Sequence, residues 1–354
     1  MAARKLAVPA DGFRHIAVIR LSSLGDVVLT LPVLHTLARA FPNARITYWT
    51  KEEYREVVAH DPTVHHVRAL ERDARRIEDL VSMSAELEET DLIVDLHGNA
   101  RARILTLRQK VPVLRAPSYR WGRAALVHAR WARPRVPPPA LERYARALAP
   151  LGLVPAIAPR MSAGTAAEIW AADWLSDWGA GTPVVLLPGA RHATKRWPEA
   201  HWVALVDGLQ AAGRSLLLAS LEREKRALPL LAERVEGDPR VRWVTEPLPR
   251  LAALLSRSAA AVACDSGLMH VAAARGIGVV ALFGSTAPEL GFAPAGEGHV
   301  VLCRHEPCQP CTLHGRPSCP KGHFRCMNEL RPEPVAEAVA QVIKGARPAA
   351  LMAG

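Results

Sequence analysis

The chain has 354 residues, 49% of them hydrophobic, with 45 Lys or Arg against 34 Asp or Glu and a formal charge of +11. That length exceeds what one hydrophobic core serves, so two domains are expected, and the longest apolar run, Val27–Leu37, is interrupted by Pro32 and too short to span a bilayer. The first residues lack the apolar segment of a secretory signal, and five of the six cysteines crowd between 303 and 326, unlike a secreted disulfide framework, so a cytoplasmic protein is expected.

In the first half, Ile16–Arg20, Arg45–Thr50, Leu92–Asp95 and Val111–Leu114 read as strands, with helices near Asp26–Ala40, Lys51–Ala59 and Arg75–Glu89. Prolines and arginines break the rhythm over 117–140. Leu141–Leu148 reads as another helix, and prolines and small residues make Gly152–Pro159 the expected linker. The second half repeats the pattern, with strands at 184–188, 215–219, 241–244, 259–264 and 279–283, and helices at 199–212, 222–234, 248–257 and 268–275. A last helix is expected over Glu333–Ile343. Such alternation predicts an α/β protein with parallel sheets, whose ligands sit beyond the carboxyl ends of the strands. The expected domains are 1–155 and 156–330, with a helix and tail, 331–354, packing back toward the first domain.

Two segments have the form of a phosphate site. In Ala261–His270 an apolar strand runs into Asp265-Ser266-Gly267 and then a helix, so that turn amides and a helix N-terminus point at one spot, and Gly267 permits close approach. Val184–Gly189 is a second buried strand, followed by Arg191, Thr194, Lys195 and Arg196 before Trp197-Pro198-Glu199 opens a helix. Lys195 is the expected principal cation for a diphosphate, with Arg191, Thr194, Ser266 and Gly267 completing the cradle. From Leu96 to Arg135 there are ten Lys or Arg and no Asp or Glu, with Tyr119, Trp121 and Trp131 among them. A solvated face is one reading of this tract; the interleaved aromatics favour an interface for an anionic partner, with Arg101, Arg120 and Arg123 as candidate contacts.

P-G-A-R-H-A-T-K-R-W-P at 188–198, D-S-G-L-M-H at 265–270, L-F-G-S-T at 282–286 and R-L-S-S-L-G-D at 20–26 resemble glycosyltransferase family nine, the ADP-heptose heptosyltransferases of the lipopolysaccharide inner core. The first of these boxes and the cysteine pattern at 307–327 are most similar to the heptosyltransferase II type, although the box lacks one residue between P-G-A and K-R-W-P. The resemblance implies a GT-B fold, two Rossmann-like domains facing across a cleft, with the nucleotide sugar held by the C-terminal domain and the acceptor by the N-terminal one. It also implies inverting transfer of L-glycero-D-manno-heptose from ADP-heptose to a Kdo/heptose–lipid A acceptor at the inner face of the cytoplasmic membrane, where the protein would be peripheral.

The resemblance further assigns Asp26 as general base, although the same residue, directly before an expected helix, also suits an N-cap. It places Asp265 on the heptose, His270 at the donor site, and a carboxylate after the strand Leu216–Ala219 on the ribose, for which Glu222 is favoured and Glu224 is the alternative. Catalysis is expected to need no cofactor.

Cys308, Cys311, Cys319 and Cys326 lie in a Gly- and Pro-containing stretch whose spacing is compatible with a structural zinc or iron, though not with the paired C-x-x-C knuckles of a zinc ribbon. Rival readings are weaker. No strand is followed by G-x-G-x-x-G, as a dinucleotide enzyme requires, and Gly208–Ser215 mimics a P-loop but follows a helix and precedes a strand. A nucleic-acid-binding protein would explain the basic tract 101–135 but not the two phosphate-type turns, so no nucleic acid is expected. Another nucleotide-sugar donor, or a protein acceptor, is the alternative within the glycosyltransferases.

Overall fold

The computed structural model describes residues 5–70, 77–129, 135–156, 158–179 and 181–345. Trp131, the start of the helix expected from Arg75 and the tail beyond 345 lie outside the described residues. The chain divides into two compact units, one of residues 1–118 and 140–162, the other of residues 119–139 and 163–354.

In chain order the first unit contains β1 (His15–Ile19), α1 (Leu24–Val28), α2 (Leu31–Ala40), β2 (Arg45–Lys51), β3 (His66–Leu70), α3 (Ile77–Ser84), β4 (Leu92–Asp95), α4 (Ala100–Thr106) and β5 (Val113–Arg115). Helix α5 (Arg120–His128) belongs to the second unit, after which α6 (Ala140–Ala145) returns to the first. The second unit continues with α7 (Thr165–Trp178), β6 (Val184–Leu187), α8 (Glu199–Ala211), β7 (Leu216–Ala219), α9 (Glu222–Arg226), α10 (Pro229–Val235), β8 (Val241–Val244) and α11 (Leu248–Ser256). It closes with β9 (Ala260–Cys264), α12 (Gly267–Ala274), β10 (Val279–Phe283), β11 (Val300–Cys303), α13 (Arg325–Asn328) and α14 (Pro332–Ile343).

Both sheets are wholly parallel. Their orders are β3-β2-β1-β4-β5 and β11-β10-β9-β6-β7-β8, so the order reverses between β1 and β4 in the first and between β6 and β9 in the second. At such a reversal the two flanking connections leave in opposite directions and open a crevice at the strands' carboxyl ends. The central strands read as apolar runs because both faces are covered: every residue of β4, β6, β7, β9 and β10 is buried.

Several expectations are corrected. The helix expected over 26–40 is two, since α1 ends before Pro32 opens α2. The helix of 222–234 likewise breaks into α9 and α10 at Pro229. Residues 52–57 form a 3-10 turn rather than an α-helix. The basic stretch after 117 contains α5, whose buried Leu126 and Val127 pack with Leu290; this burial groups α5 with the second unit, within the span of the expected domain 1–155. Helix α14 packs on the second unit's own sheet and on α8, because Val335, Ala338 and Val339 join the core around Val280 and Leu302.

Candidate active site

The second unit builds one half-site from two strand ends at its sheet reversal. Leu187 ends β6 opposite Ala263, so the connections after β6 and β9 start side by side. From the first, Lys195 reaches back and its Nζ lies 2.7 Å from Oδ2 of Asp265, the residue that follows β9. Thr286 Oγ1 donates to the same Oδ2 at 2.6 Å. Ser266 is the N-cap of α12; its backbone is extended, and its hydroxyl is buried without a hydrogen-bond partner. An ammonium, an unsatisfied hydroxyl and the N-terminus of an eight-residue helix thus converge, which is the chemistry an anionic phosphate uses.

Trp197 anchors the loop that carries Lys195. Its ring, 2% exposed, packs edge-on against Trp202 at 5.1 Å, and its indole N–H donates to the Leu330 carbonyl at 2.7 Å. Gly284 must lack a side chain here, since a Cβ would stand 2.8 Å from the Thr194 carbonyl.

Not every expected contact is available to a ligand. Thr194 is 2% exposed, and its hydroxyl donates to the Arg316 carbonyl while accepting from Ser285 Oγ and the Arg316 N–H, so it braces the loop instead of presenting an oxygen to phosphate. Arg191 is exposed, Gly267 is half-buried in the first turn of α12, and His270 is buried on the same helix. The two carboxylates after β7 have different surroundings. Glu222 pairs with Arg226 on the exposed face of α9 at 3.4 Å, whereas Glu224 caps the Leu221 N–H and lies against the Cα of Gly189, where any Cβ would collide with its carboxylate.

The cysteine stretch clamps this half-site. Cys311 N–H donates to the Ser285 carbonyl at 3.0 Å, and the Gln309 amide donates to the Gly284 carbonyl, so the segment holds the L-F-G-S-T turn. Cys308, Cys311, Cys319 and Cys326 line one pocket with His323, yet among the described residues no three His, Cys, Asp or Glu side chains are placed to hold a metal ion. The Cys311 thiol donates to the Ser285 carbonyl at 3.6 Å, and burial together with the neighbouring thiols pushes the Cys326 thiol up to about 12.

The first unit has its own constellation at the ends of β1 and β4. Asp26, in the first turn of α1, accepts from Arg20 NH2 at 2.8 Å and from Tyr144 Oη on Oδ1, and from the Ser23 hydroxyl at 2.8 Å and the Ser23 N–H at 3.2 Å on Oδ2. Burial pulls its carboxyl up, but the Arg20 guanidinium and these donors outweigh that and hold it well below the usual carboxylate range. Arg20 also donates to the Leu96 carbonyl at 2.7 Å and stacks over the Tyr144 ring at 5.0 Å. The expected N-cap is corrected: Ser23 is the N-cap of α1, and Asp26 is its third residue, whose carboxylate reaches back to the Ser23 N–H in a capping box.

After β4, Asp95 Oδ1 accepts the His97 and Gly98 N–H groups at 3.0 and 2.8 Å and turns His97 toward this group. Burial, then the charge of Arg20, with Lys51 and Arg101 adding, lowers His97 to about 3, so its ring is neutral at physiological pH. Of the three expected acceptor arginines, Arg101 lies here on α4, while Arg120 and Arg123 lie on α5 of the other unit, stacked over Trp121 and Phe292 at 5.4 and 5.9 Å. Tyr144 and His97 were not foreseen. Tyr144 is 118 positions from Asp26, beyond the reach of any local spacing rule, while His97 follows a strand end and was legible as a candidate.

Two parallel α/β units, each with polar and charged side chains gathered where its strand order reverses, define a Rossmann-like α/β protein of the kind that enzymes use. The sequence profile of glycosyltransferase family 9 (heptosyltransferase) matches residues 81–319. Lipopolysaccharide heptosyltransferase 1 of Pseudomonas aeruginosa is 31% identical over 331 residues, 84% of this chain and 85% of that protein. The chain belongs to glycosyltransferase family 9 and is a glycosyltransferase. Among solved structures, a family 9 glycosyl transferase from Veillonella parvula matches with a TM-score of 0.76 at 21% identity, over 94% of this chain and 98% of that one. The E. coli ADP-heptose lps heptosyltransferase II matches at 0.71 and 22%, over 93% and 98%. These likenesses establish the fold as GT-B.

Proposed function

We propose that this enzyme transfers L-glycero-D-manno-heptose from ADP-heptose, with inversion, to an inner-core lipopolysaccharide precursor of the Kdo/heptose–lipid A class. The observation that carries this reading is the Lys195–Asp265 pair at the N-terminus of α12, whose charges and amides suit a sugar diphosphate. As the anomeric carbon–oxygen bond breaks, negative charge develops on the departing ADP, and the Lys195 ammonium, the Ser266 hydroxyl and the Gly267 N–H stabilise it. Glu224, beside the glycine that ends β6, suits the ribose diol, and Asp265 suits a heptose hydroxyl. Asp26, held ionised, takes the acceptor proton.

The name of the Pseudomonas relative supports the heptose and lipopolysaccharide parts of the proposal. That relative is numbered 1 while the motifs resemble type II, so the proposal commits to the acceptor class and not to one sugar. Arg101, with Lys51, supplies positive charge around His97 for the acceptor's phosphates and carboxylates. A peripheral position at the inner face of the cytoplasmic membrane accords with Arg120 and the 79%-exposed Trp121 on α5. Among the described residues no helix is long and apolar enough to cross a membrane.

The test is a transfer assay with ADP-L-glycero-β-D-manno-heptose as donor and Kdo–lipid A or heptosyl-Kdo–lipid A as acceptor, read by mass spectrometry. A mass gain of one heptose on either acceptor supports the proposal. Absence of transfer to both, with transfer from another nucleotide sugar or to protein, replaces it.

A further inference from the structure

Asp26 accepts four hydrogen bonds, two on each oxygen: Arg20 and Tyr144 on Oδ1, the Ser23 hydroxyl and N–H on Oδ2. A carboxylate offers about four lone-pair directions. In this state, therefore, none is open to a substrate proton, and a base at this position must first lose a donor. The four donors are not equivalent. Tyr144 is 5% exposed and sits under the Arg20 guanidinium, which is itself fixed by the Leu96 carbonyl. Burial and the Asp26 charge push the Tyr144 phenol well up, so it remains a donor. The Ser23 N–H belongs to the backbone that starts α1. The Ser23 side chain, by contrast, is exposed and turns on a single bond.

We infer that the acceptor hydroxyl takes the place of the Ser23 hydroxyl on Oδ2 of Asp26, while Tyr144 and Arg20 hold Oδ1 as positioning residues. This rests on the reading of Asp26 as the base. In the step, the acceptor O–H bond breaks and its proton passes to Oδ2. The electron pair left on that oxygen forms the bond to the anomeric carbon, and the pair of the anomeric carbon–oxygen bond leaves with the nucleoside diphosphate. Ser23 acts as a placeholder: it keeps the carboxylate solvated and aimed when no acceptor is bound, and rotates away on binding. Tyr144 fixes the plane of the carboxylate, so that the lone pair Ser23 vacates already points at the acceptor.

The experiment compares Ser23→Ala, Tyr144→Phe and Asp26→Asn in the transfer assay above, with whichever of the two acceptors supports transfer. Thermal melts and ADP affinities of the same proteins serve as controls. Ser23→Ala is expected to keep kcat within about threefold of wild type and to lower the acceptor KM, because a competing donor is gone. Tyr144→Phe keeps the ring over Arg20 but loses the hydroxyl. It is expected to lose about ten- to a hundredfold in kcat, the size of one hydrogen bond to a charged group, with the acceptor KM within about twofold and a larger solvent deuterium isotope effect. A merely structural tyrosine would move the melt and leave the isotope effect alone. Ser23→Ala as inactive as Asp26→Asn, or Tyr144→Phe with wild-type kcat, overturns the assignment. Substantial activity in Asp26→Asn instead removes the base reading beneath it.

Discussion

Lys195 and Asp265 come from loops after different strands, 70 positions apart, and meet with Nζ 2.7 Å from Oδ2, both side chains largely withdrawn from solvent. Partly buried charges of opposite sign hold each other, and either one is exposed to ligand chemistry when the other is removed. Lys195→Ala is expected to weaken ADP binding by about ten- to a hundredfold, the range for a charge-assisted hydrogen bond to phosphate. Titration calorimetry measures this directly. ADP affinity equal to wild type, in a variant with a normal melt, would place the diphosphate elsewhere.

Glu224 and Glu222 are separated by a single test. Glu224→Gln is expected to weaken ADP binding severalfold, whereas Glu222→Gln, whose partner is Arg226 on an exposed face, leaves it unchanged. Gly189→Ala should mimic the first of these. Gly189 does not have a positive φ, so alanine is conformationally allowed there, and the obstruction is the Glu224 carboxylate, which must move aside. A Gly189→Ala protein with unaltered ADP affinity would remove Glu224 from the nucleotide site.

The ionisation of Asp26 sets the acid side of the activity profile. Its folded-state value is depressed by Arg20, Tyr144 and Ser23, so it is fully charged throughout the usual working range. The acid limb of kcat/KM should therefore show no inflection near the ordinary carboxylate value of about 4 to 5 assignable to this group. An inflection there that Asp26→Glu displaces would contradict the geometry.

His97 makes a separate prediction about stability. Its folded-state value is lowered to about 3 from 6.5, so the unfolded chain binds the proton first as pH falls. Stability present above pH 6.5 is lost on acidification through the window down to about 3, by at most about 1.4 kcal/mol per pH unit from this group. Asp26 contributes in the same direction only below its unfolded value, so the interval from pH 6.5 to 4 isolates the histidines. His97→Asn should flatten the denaturation midpoint against pH there relative to wild type. Parallel curves would show that the imidazole is not held neutral by its surroundings.

Much of this was readable in the chain. Strands β6, β9 and β10 are unbroken apolar runs ending in turn residues, because burial on both faces imposes that composition. Strand β3, with the sequence HVRAL at the sheet edge, and α7, which buries only Ala167, Ala171 and Leu175 while its three tryptophans stack along the helix, carry no such signal and were not expected. The phosphate-type turns were legible because their chemistry is local. What the spacing could not tell is which neighbours consume a side chain: Thr194 looks like a phosphate ligand until Ser285 and Arg316 occupy its hydroxyl. The same holds for Glu224 and Glu222, two residues apart on one short helix, of which Glu224 lies against Gly189 and Glu222 against Arg226.

The most direct test of the central claim is calorimetric titration of the protein with ADP, and with GDP and UDP as controls, in buffer containing EDTA. ADP is expected to bind selectively, and Lys195→Ala to weaken that binding. Tighter binding of UDP or GDP would keep the GT-B fold and discard the ADP-heptose donor, and binding of none of the three would contradict the diphosphate site itself.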